Sequence, residues 1–514
     1  MTSGEICIMI TIAAYLIFMV AIGVYFTKKN SNTGDFYLGG RSLGPFVTAM
    51  SAEASDMSSW LLMGLPGLAY LTGVADAAWT AIGLAIGTYV NWLIVAKRIR
   101  RYTVVAGDAI TIPDFFKNRF HDKGSALMLI SAVVIIVFFV PYTASGFAAC
   151  GKLFSSLFGT DYLTAMIISA VVIVLYTALG GFLAASTTDL IQSIIMSAAL
   201  IAVLIFGVVS AGGVDAVVNN AQSMQGYLSF TQTYNAAQGA ASEYSFLSIA
   251  STIAWGLGYF GMPHILLRFM AIRDEKKLKL SRRIASVWVV ISMSVAILIG
   301  VIGNAMSSAG VIETFADTSA SETVIVKIAA LMSENGILLA IVAGIILAGI
   351  LAATMSTADS QLLAASSSVS ENIMKGVFKL KISEKATMII ARATVVVVSI
   401  IAAFLASDPN SSVFNIVSFS WAGFGAAFGP VVLFSLFWKR TNKWGALAGM
   451  LSGGAMVFIW EYVLTPLGGV FAIYELLPAF IVACLAIVVV SLLTPAPSKE
   501  VIADFERVSA MAKS

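Results

Sequence analysis

Charge is scarce in this sequence. Of its 514 residues only 11% are Asp, Glu, Lys or Arg, whereas 59% are hydrophobic. A soluble domain carries about 25% charged residues, so this chain cannot keep so much apolar surface away from water by folding alone. The scarcity excludes an ordinary soluble protein and predicts an all-α polytopic membrane protein.

Residues that commonly carry enzyme or metal chemistry are also few. The chain has 3 cysteines and 2 histidines. Cys7, Cys150 and Cys484 lie far apart within apolar runs, which gives neither a metal-binding spacing nor a disulfide framework. His121 and His264 are expected at helix ends near the membrane surface. There is no phosphate-binding GxxxxGK[ST] pattern either, so we predict no catalytic residues, no cofactor and no enzyme activity.

Long apolar runs are what the sequence does contain. Thirteen of them can cross a bilayer, because about 20 residues of helix span its hydrocarbon core. We expect a single transmembrane domain over residues 1–514, with 495–514 as a tail, and a short interfacial piece before Gly336 in the longest run. The thirteen predicted spans are 5–26, 43–71, 76–96, 126–154, 160–181, 188–212, 245–268, 281–305, 325–370, 386–407, 412–437, 443–464 and 473–494.

Basic residues are distributed unevenly between the loops. The two long loops 213–244 and 306–322 hold none of the 30 Lys and Arg residues. Because cytoplasmic loops are enriched in Lys and Arg, thirteen spans predict an outside N-terminus and a cytoplasmic C-terminus in the cell membrane. The net charge of +3 gives no reason to expect nucleic acid as a partner. The basic segments are 27–42, 97–124, 263–283, 371–392, 438–443 and 495–514.

A polar cluster interrupts the second span. Ser51–Trp60 reads SAEASDMSSW and contains two acids and four serines within an otherwise apolar stretch. An Asp at the centre of a membrane helix costs roughly 2.5–3.5 kcal/mol on insertion scales. A chain tolerates this cost where the cluster faces a protein-lined cavity and binds something, so the cluster favours a transporter over a membrane anchor.

Glycine and proline interrupt two spans at matching places. Transporters commonly place their sites on such broken helices. The two spans lie five apart, which predicts inverted repeats over 43–212 and 245–437, that is, spans 2–6 and 7–11. Close helix packing is the alternative explanation for the glycines alone. The interrupting residues are Gly64, Pro66 and Gly67 in the second span and Gly256, Gly258, Gly261 and Pro263 in the seventh.

A second polar cluster, Met355–Gln361, follows the apolar run of the ninth span. Ser356 and Thr357 offer hydroxyl oxygens, which together with carbonyl oxygens suit Na⁺ because they add no negative charge. Hydroxyls in membrane helices also commonly bond back to the preceding turn, and composition alone favours that second interpretation.

Aromatic residues accompany the polar clusters: Trp60, Tyr142, Trp255 and Tyr259. An aromatic wall with few charges suits a small amphipathic solute, whose amine can sit over a ring face. Its carboxylate can meet the N-terminus of a half-helix. Ordinary lipid-facing aromatics are the alternative.

Five collinear segments resemble the proline-transporting members of the sodium/solute symporter family. They are GGRSLGPFVTAMSAEASDMSSWLLMGLPG (Gly39–Gly67), YTALGGFLAASTTDLIQ (176–192), WGLGYFGMPHILLRFMA (255–271), LAATMST (351–357) and SWAGFGAAFGPVVLFSLFWKR (420–440). The resemblance implies thirteen spans around a LeuT-like five-plus-five core. It also implies electrogenic uptake of L-proline with Na⁺ by alternating access, with no obligate protein partner.

The resemblance also implies roles for individual residues. The sodium site would comprise the carbonyls of Ala54, Met57 and Ala353 and the hydroxyls of Ser356 and Thr357. Positions matching proline-binding residues are Trp60, Gly64, Tyr142, Trp255, Tyr259 and Pro263. Positions matching residues of ion coupling or the ion path are Arg41, Asp56, Ser58 and Asp189. Asp56 need not touch Na⁺, since it can hold the broken helix by accepting backbone N–H bonds.

Three residues depart from the pattern expected of the family. Glu53 and Ser59 stand where glycine is expected, and Asp359 stands where a neutral residue is expected. The extra carboxylates would raise cation affinity or change coupling, unless they point toward cytoplasmic water.

Three other functions stay open at this point. Within the transporter class, the alternative is symport of another small amino or organic acid, coupled to Na⁺ or to protons. From another class, the alternatives are a channel or a transport-like sensor.

Overall fold

Helices make up nearly all of the regular structure. The computed structural model describes residues 2–27, 32–236 and 238–511. Lys28 and Lys29 of the first basic segment and residues 512–514 of the predicted tail therefore lie outside the described residues. The first α-helices are α1 (Ser3–Thr27), α2 (Thr33–Leu38), α3 (Pro45–Ser59), α4 (Leu65–Thr72), α5 (Val74–Val90), α6 (Ala96–Val105), α7 (Ile112–Arg119), α8 (Ala126–Phe158), α9 (Tyr162–Ser210) and α10 (Val214–Ser223).

The second half of the chain continues the pattern. Its α-helices are α11 (Phe246–Ile253), α12 (Pro263–Ala271), α13 (Leu278–Ser308), α14 (Thr318–Ser321), α15 (Val324–Ser333), α16 (Ile337–Ser367), α17 (Glu384–Leu405), α18 (Val413–Phe437), α19 (Lys443–Ile459), α20 (Leu476–Leu493) and α21 (Lys499–Met511). The strands β1 (Gln232–Asn235) and β2 (Ala240–Glu243) form an antiparallel hairpin. Wider or tighter helical turns occupy Gly39–Arg41, Trp60–Gly64, Asn91–Val95, Ala254–Phe260, Glu275–Lys277, Ser368–Val377, Trp460–Leu464, Thr465–Leu467 and Gly469–Phe471.

Ten helical stretches in the described part of the chain are long and apolar enough to cross a membrane. Each coincides with a predicted span, so the expectation of a mostly helical polytopic protein is confirmed. The other three predicted spans, 43–71, 160–181 and 245–268, correspond to shorter or interrupted helices. The ten stretches are Ser3–Phe26, Val74–Val105, Ala126–Phe158, Gly181–Ser210, Glu275–Ser308, Ile337–Val377, Glu384–Leu405, Val413–Phe437, Lys443–Leu467 and Leu476–Leu493.

The second span is broken, but earlier than its glycines and proline suggested. The break lies at Ser58, whose φ of 46° and ψ of −172° are not helical. This strained conformation is supported by the Ser58 side chain, because its Oγ accepts the backbone N–H of Trp60 at 3.0 Å. Gly67 lies within a regular helix, and a Cβ there would approach the backbone nitrogen of Glu322 to 2.9 Å. Gly67 therefore serves close packing, and the predicted position of the interruption was wrong.

The seventh span is broken where its sequence predicted. The turn Ala254–Phe260 separates α11 from α12, and Pro263 begins α12 at a position that tolerates proline. Gly83 and Gly87 bring α5 against this turn. A Cβ on Gly256 would lie 2.1 Å from the carbonyl oxygen of Gly83, and one on Gly87 would lie 2.3 Å from that of Gly256. Backbone therefore meets backbone at this interface.

The ninth predicted span forms the centre of the bundle. It divides at Gly336 into the short α15 and the long α16, as the sequence predicted. Most of α16 is buried, and it packs against α1, α3, α8 and α9. α9 contains a kink at Gly181, where φ is 65°, so the predicted spans 160–181 and 188–212 are the two arms of one bent helix.

His264 corrects the expectation of an interfacial position. It is 0% exposed, and its ring lies 5.7 Å from that of Phe139. It is near a helix end, but that end belongs to the broken seventh span inside the bundle.

Candidate ion and solute site

The centre of α3 meets the centre of α16 through oxygen atoms. The Ser356 hydroxyl donates to the carbonyl of Ala54 at 2.8 Å and lies 3.1 Å from the carbonyl of Ala353. The Thr357 hydroxyl donates to the same Ala353 carbonyl at 3.1 Å. All four residues are buried. The structure thus brings these four predicted residues together, and it also shows the bonds back to the preceding turn that composition favoured.

Met57 completes the predicted group at the end of the regular part of α3. It directly precedes Ser58, and its carbonyl accepts the N–H of Trp60 across the break. Ala54 and Met57 lie one turn apart, so their carbonyls lie on one side of the helix. The five residues, which we call the sodium set, offer only neutral oxygens: Ala54, Met57, Ala353, Ser356 and Thr357.

An aromatic cavity adjoins the break. Its volume is about 10 Å³, roughly the space of one water molecule, so an amino acid can enter only when the aromatic rings separate. The rings of Trp60 and Trp255 lie 5.5 Å apart, and Tyr474 stacks on Trp255 at 4.9 Å. The lining residues are Asp56, Met57, Trp60, Leu84, Tyr142, Trp255, Val417 and Trp421.

Asp56 ties the broken helix to two tyrosines. Its Oδ2 accepts the hydroxyl of Tyr259 at 2.6 Å, and its carbonyl accepts the hydroxyl of Tyr142 at 3.2 Å. The carboxylate thus holds a side-chain hydroxyl rather than the backbone N–H groups that we expected. Tyr259 lies on the broken seventh span, so Asp56 connects the two broken spans directly.

Gly64 and Pro263 are not among the described residues that line the cavity. A Cβ on Gly64 would lie 3.2 Å from Cδ1 of Trp60 and 3.4 Å from Cβ of Phe414. Gly64 therefore lets Trp60 and Phe414 pack closely, with their rings 6.1 Å apart. Pro263 shapes the seventh span by starting α12.

Comparison with known proteins shows to which family this chain belongs. The model of the Sodium:solute symporter family matches residues 36–453. The chain belongs to the sodium:solute symporter family. The resemblance seen in the sequence is thereby confirmed.

Several curated relatives of this symporter match over nearly their full length. The osmoregulated proline transporter OpuE of Bacillus subtilis is 43% identical over 96% of both chains. The high-affinity proline transporter PutP of the same organism is 46% identical over 95% of this chain and 98% of its own. A sodium/proline symporter of Staphylococcus aureus is 42% identical over 97% and 95%.

Solved structures share the fold at low sequence identity. A Na⁺-coupled sialic acid symporter in an outward-open state aligns with a TM-score of 0.77 at 18% identity, over 96% of this chain and 99% of its own. MhsT in complex with L-phenylalanine aligns with a TM-score of 0.52 at 13% identity, over 88% and 98%. The symporter is therefore a mostly helical polytopic transporter with LeuT-like structural neighbours.

Sequence reasoning missed Arg268, which lies in a buried polar network one helical turn beyond the sodium set along α16. Its guanidinium contacts Oδ2 of Asp189 at 3.1 Å and donates to the hydroxyl of Ser360 at 2.6 Å. Asp189 also accepts the hydroxyl of Ser51 at 2.6 Å. Ser360 is one turn beyond Ser356 and donates to its carbonyl at 3.0 Å. The network thus joins α3, α9, α12 and α16 around the predicted ion path.

Arg41 lies outside the sodium set and fastens helix ends. It contacts Asp108 at 2.9 Å and donates to the carbonyls of Met270 at 2.7 Å and Ala109 at 2.9 Å. Partial burial lowers the pKa of its guanidinium, and the carboxylate of Asp108 opposes that shift. Because the ordinary pKa of arginine is above about 12, Arg41 stays charged at neutral pH.

The unexpected acids do not face water. Glu53 is 1% exposed and Asp359 is 0% exposed. Glu53 accepts the indole N–H of Trp92 at 3.0 Å, and Asp359 accepts the hydroxyl of Ser360 at 3.0 Å. The interpretation that they point toward cytoplasmic water was therefore wrong. Ser59, the third departure, is also buried.

A buried ion pair holds the N-terminal end of α18. Lys152 Nζ lies 2.7 Å from Oε2 of Glu322. Glu322 also accepts the backbone N–H groups of Val413 at 3.1 Å and Phe414 at 2.9 Å, and the hydroxyl of Ser412 at 2.9 Å. Glu322 therefore caps the helix that carries Phe414, which packs on Trp60, and two lining residues of the cavity. The only sign of this pair in the sequence is a lysine within an apolar run.

Proposed function

We propose that this symporter takes up L-proline together with Na⁺ by secondary active transport. The observation that carries the proposal is the contact between the Ser356 hydroxyl and the Ala54 carbonyl, 2.8 Å apart, at a helix break beside an aromatic cavity. Relatives that are 41–46% identical over nearly their full length are named as proline transporters or as sodium/proline symporters.

The sodium set would hold the ion. Three carbonyls and two hydroxyls on α3 and α16 supply oxygens without excess negative charge, which is how proteins replace the hydration shell of an alkali cation. Binding there would hold the broken second span against α16. Na⁺ would thereby order the helix whose next residues line the cavity.

The aromatic cavity would hold proline. Trp60, Trp255 and Tyr142 present apolar ring faces that suit a small pyrrolidine, and a cation over such a face gains about 0.5–2 kcal/mol. The proline carboxylate would meet a half-helix N-terminus at one of the breaks. Tyr259 would act through Asp56, whereas Gly64 and Pro263 would shape the packing around the site.

Transport would follow alternating access within thirteen spans. The short arm of α9 before Gly181 and the two broken spans would add three crossings to the ten long helices of the described chain. Residues 43–212 and 245–437 would form the inverted repeats, with the N-terminus outside and the C-terminus in the cytoplasm. Asp189 and Arg41 would act on the inner side, where Na⁺ leaves.

The driving force is sufficient for accumulation. One positive charge moving inward across about 100 mV yields about 2.3 kcal/mol. Since about 1.4 kcal/mol is a tenfold ratio, the voltage alone supports a proline gradient of nearly fiftyfold.

The test is uptake of radiolabelled proline into proteoliposomes, with sodium, proton and potential gradients imposed one at a time. We expect uphill accumulation with an inward sodium gradient and stimulation by an inside-negative potential. Accumulation driven only by a proton gradient would favour the proton-coupled alternative. If another small amino or organic acid inhibits uptake at a lower concentration than unlabelled proline does, that acid and not proline is the substrate. Proline flux without uphill accumulation would indicate a channel.

A further inference from the structure

Two carboxylates lie on the flank of α3 that faces α5 and the seventh span. Glu53 and Asp56 are three residues apart and are 1% and 6% exposed. Glu53 Oε1 accepts the indole N–H of Trp92, and Asp56 Oδ2 accepts the hydroxyl of Tyr259. The second oxygen of each group, Glu53 Oε2 and Asp56 Oδ1, is buried without a hydrogen-bond partner.

The buried Arg268 and Lys152 pair with other carboxylates. Among the described residues, neither Glu53 nor Asp56 forms an ion pair with a Lys, Arg or His. Arg268 is held by Asp189, and Lys152 is held by Glu322. A buried charge that is neither paired nor bound to a cation is strongly unfavourable, so this flank requires positive charge from outside the chain, carried by a metal cation or by a proton.

Neutral oxygens from α5 and the turn after it lie beside Tyr259, whose hydroxyl binds Asp56. The Asn91 side-chain amide donates to the carbonyl of Tyr259 at 3.0 Å, while its Oδ1 is buried without a partner. Thr88, one turn earlier, is 0% exposed, and its hydroxyl lies beside that of Tyr259 but makes no hydrogen bond of normal geometry. Thr88 and Asn91 therefore bring unsatisfied oxygen atoms to Tyr259, the residue that Asp56 binds.

Oxygen is the ligand that hard cations prefer. The sodium set lies on the neighbouring flank of α3 and offers only neutral oxygens, so a Na⁺ bound there balances the charge of only one of the two carboxylates. A second Na⁺ beside Glu53 and Asp56 balances the other. A single Na⁺ would leave a net negative charge in the middle of the bundle.

We propose a second Na⁺ site formed by Glu53, Asp56, Thr88 and Asn91. This proposal rests on the proposed function, because it adds an ion to the same transport cycle. Each proline would then enter with two positive charges. The voltage would act on both, so the attainable proline gradient would be the square of that for one ion.

The first experiment measures binding of radioactive ²²Na⁺ to the purified full-length protein in detergent, without proline. We expect two ions per chain in the unmodified protein and one in Glu53→Gln, which keeps an oxygen for Trp92. Thr88→Val should keep both sites but weaken one about tenfold, the loss expected for one contact of hydrogen-bond strength. The matched control is Asp76→Asn, another carboxylate bonded to a tyrosine hydroxyl at 2.9 Å, which should still bind two ions.

The second experiment measures the number of charges per proline in proteoliposomes, from the voltage that stops net flux at fixed gradients. We expect two charges for the unmodified protein and one for Glu53→Gln. The proposal would be overturned if the unmodified protein bound only one Na⁺. It would also be overturned if Glu53→Gln bound two Na⁺ and melted at the same temperature as the unmodified protein. If two charges move with each proline but only one Na⁺ binds, the second charge is a proton and the proposal of a second Na⁺ site is overturned. If the protein binds two Na⁺ but moves no proline, the proposed function fails while the second site stands.

Discussion

The buried pair of Lys152 and Glu322 allows a prediction whose magnitude follows from its contacts. The side chain of Glu322 is fully buried and that of Lys152 is 6% exposed. Removing one partner of such a pair costs about 3–5 kcal/mol, because the other charge stays buried without compensation. We expect Lys152→Met at the lower end of that range, since Glu322 keeps three other hydrogen bonds.

Glu322→Leu should be the more damaging change. It leaves Lys152 unpaired and also removes the cap from the N-terminus of α18, which adds about 1 kcal/mol. In the double variant both charges are gone, so only the lost cap and hydrogen bonds remain, a cost of about 1–2 kcal/mol. The double variant should therefore be more stable than either single variant.

The assay is the melting temperature of the purified proteins in one detergent at one heating rate, because membrane proteins of this size commonly unfold irreversibly. Lys327→Met serves as the control: its pair with Glu313 is exposed and should contribute no more than about 1 kcal/mol. Proline binding gives a second readout. Glu322 accepts the backbone N–H of Phe414, whose ring packs on Trp60 in the cavity wall, so Glu322→Leu should weaken proline binding. A double variant as unstable as Glu322→Leu, or a Lys152→Met variant as stable as the unmodified protein, would refute the reasoning.

Three further changes test the site. Ser356→Ala and Thr357→Ala each remove one oxygen from the sodium set, so the Na⁺ concentration for half-maximal proline uptake should rise about tenfold or more at unchanged expression; equal sodium dependence in both would count against this ion site. Trp60→Ala removes one wall of the aromatic cavity and should weaken proline binding to purified protein at least tenfold, while Trp60→Phe should retain most of it; if both bind proline as the unmodified protein does, proline lies elsewhere. Gly258→Ala would place a Cβ 1.9 Å from Nε1 of Trp421, which must break the bond from that indole to the carbonyl of Trp255 and reduce uptake at a cost of about 1–3 kcal/mol; full activity would show that the wall is more adaptable than its packing indicates.

Composition and periodicity predicted the membrane helices because each must satisfy its backbone internally and face hydrocarbon. They did not predict the hydrogen bond between Ser356 and Ala54, two residues that are 302 positions apart in the sequence. Only the family resemblance placed those residues together. The local alternative, bonding of hydroxyls to the preceding turn, occurs in the same two side chains, so the structure contains both patterns.

The exact break in the second span was hidden for a physical reason. Glycine and proline are the usual signals of interrupted helices, and they led the prediction to Gly64, Pro66 and Gly67. The chain instead adopts the unusual conformation at Ser58, whose hydroxyl replaces a lost backbone bond. This compensation depends on a single contact, from the backbone N–H of Trp60 to the hydroxyl of Ser58. The composition of the segment does not predict such a contact.

Arg268 and the partners of Glu53 were missed for a different reason. Arg268 counted as one more cytoplasmic basic residue, although it lies within the apolar stretch HILLRFMA, where a charge is as costly as at Asp56. Trp92 and Asn91 lie on a helix with no polar cluster to draw notice. Their roles follow from which helices pack together, and that information is distributed over the whole chain.

The contacts among Gly83, Gly87 and Gly256 have a consequence for how the protein moves. With no side chain between α5 and the turn Ala254–Phe260, no rotamer change can let one slide past the other. We therefore expect the two to move as a single rigid body, together with the second span, which Asp56 joins to Tyr259 and Glu53 joins to Trp92. Relative displacement then has to occur where side chains do intervene, along α16 and α9, and a bulky residue introduced there should slow turnover without preventing ligands from binding.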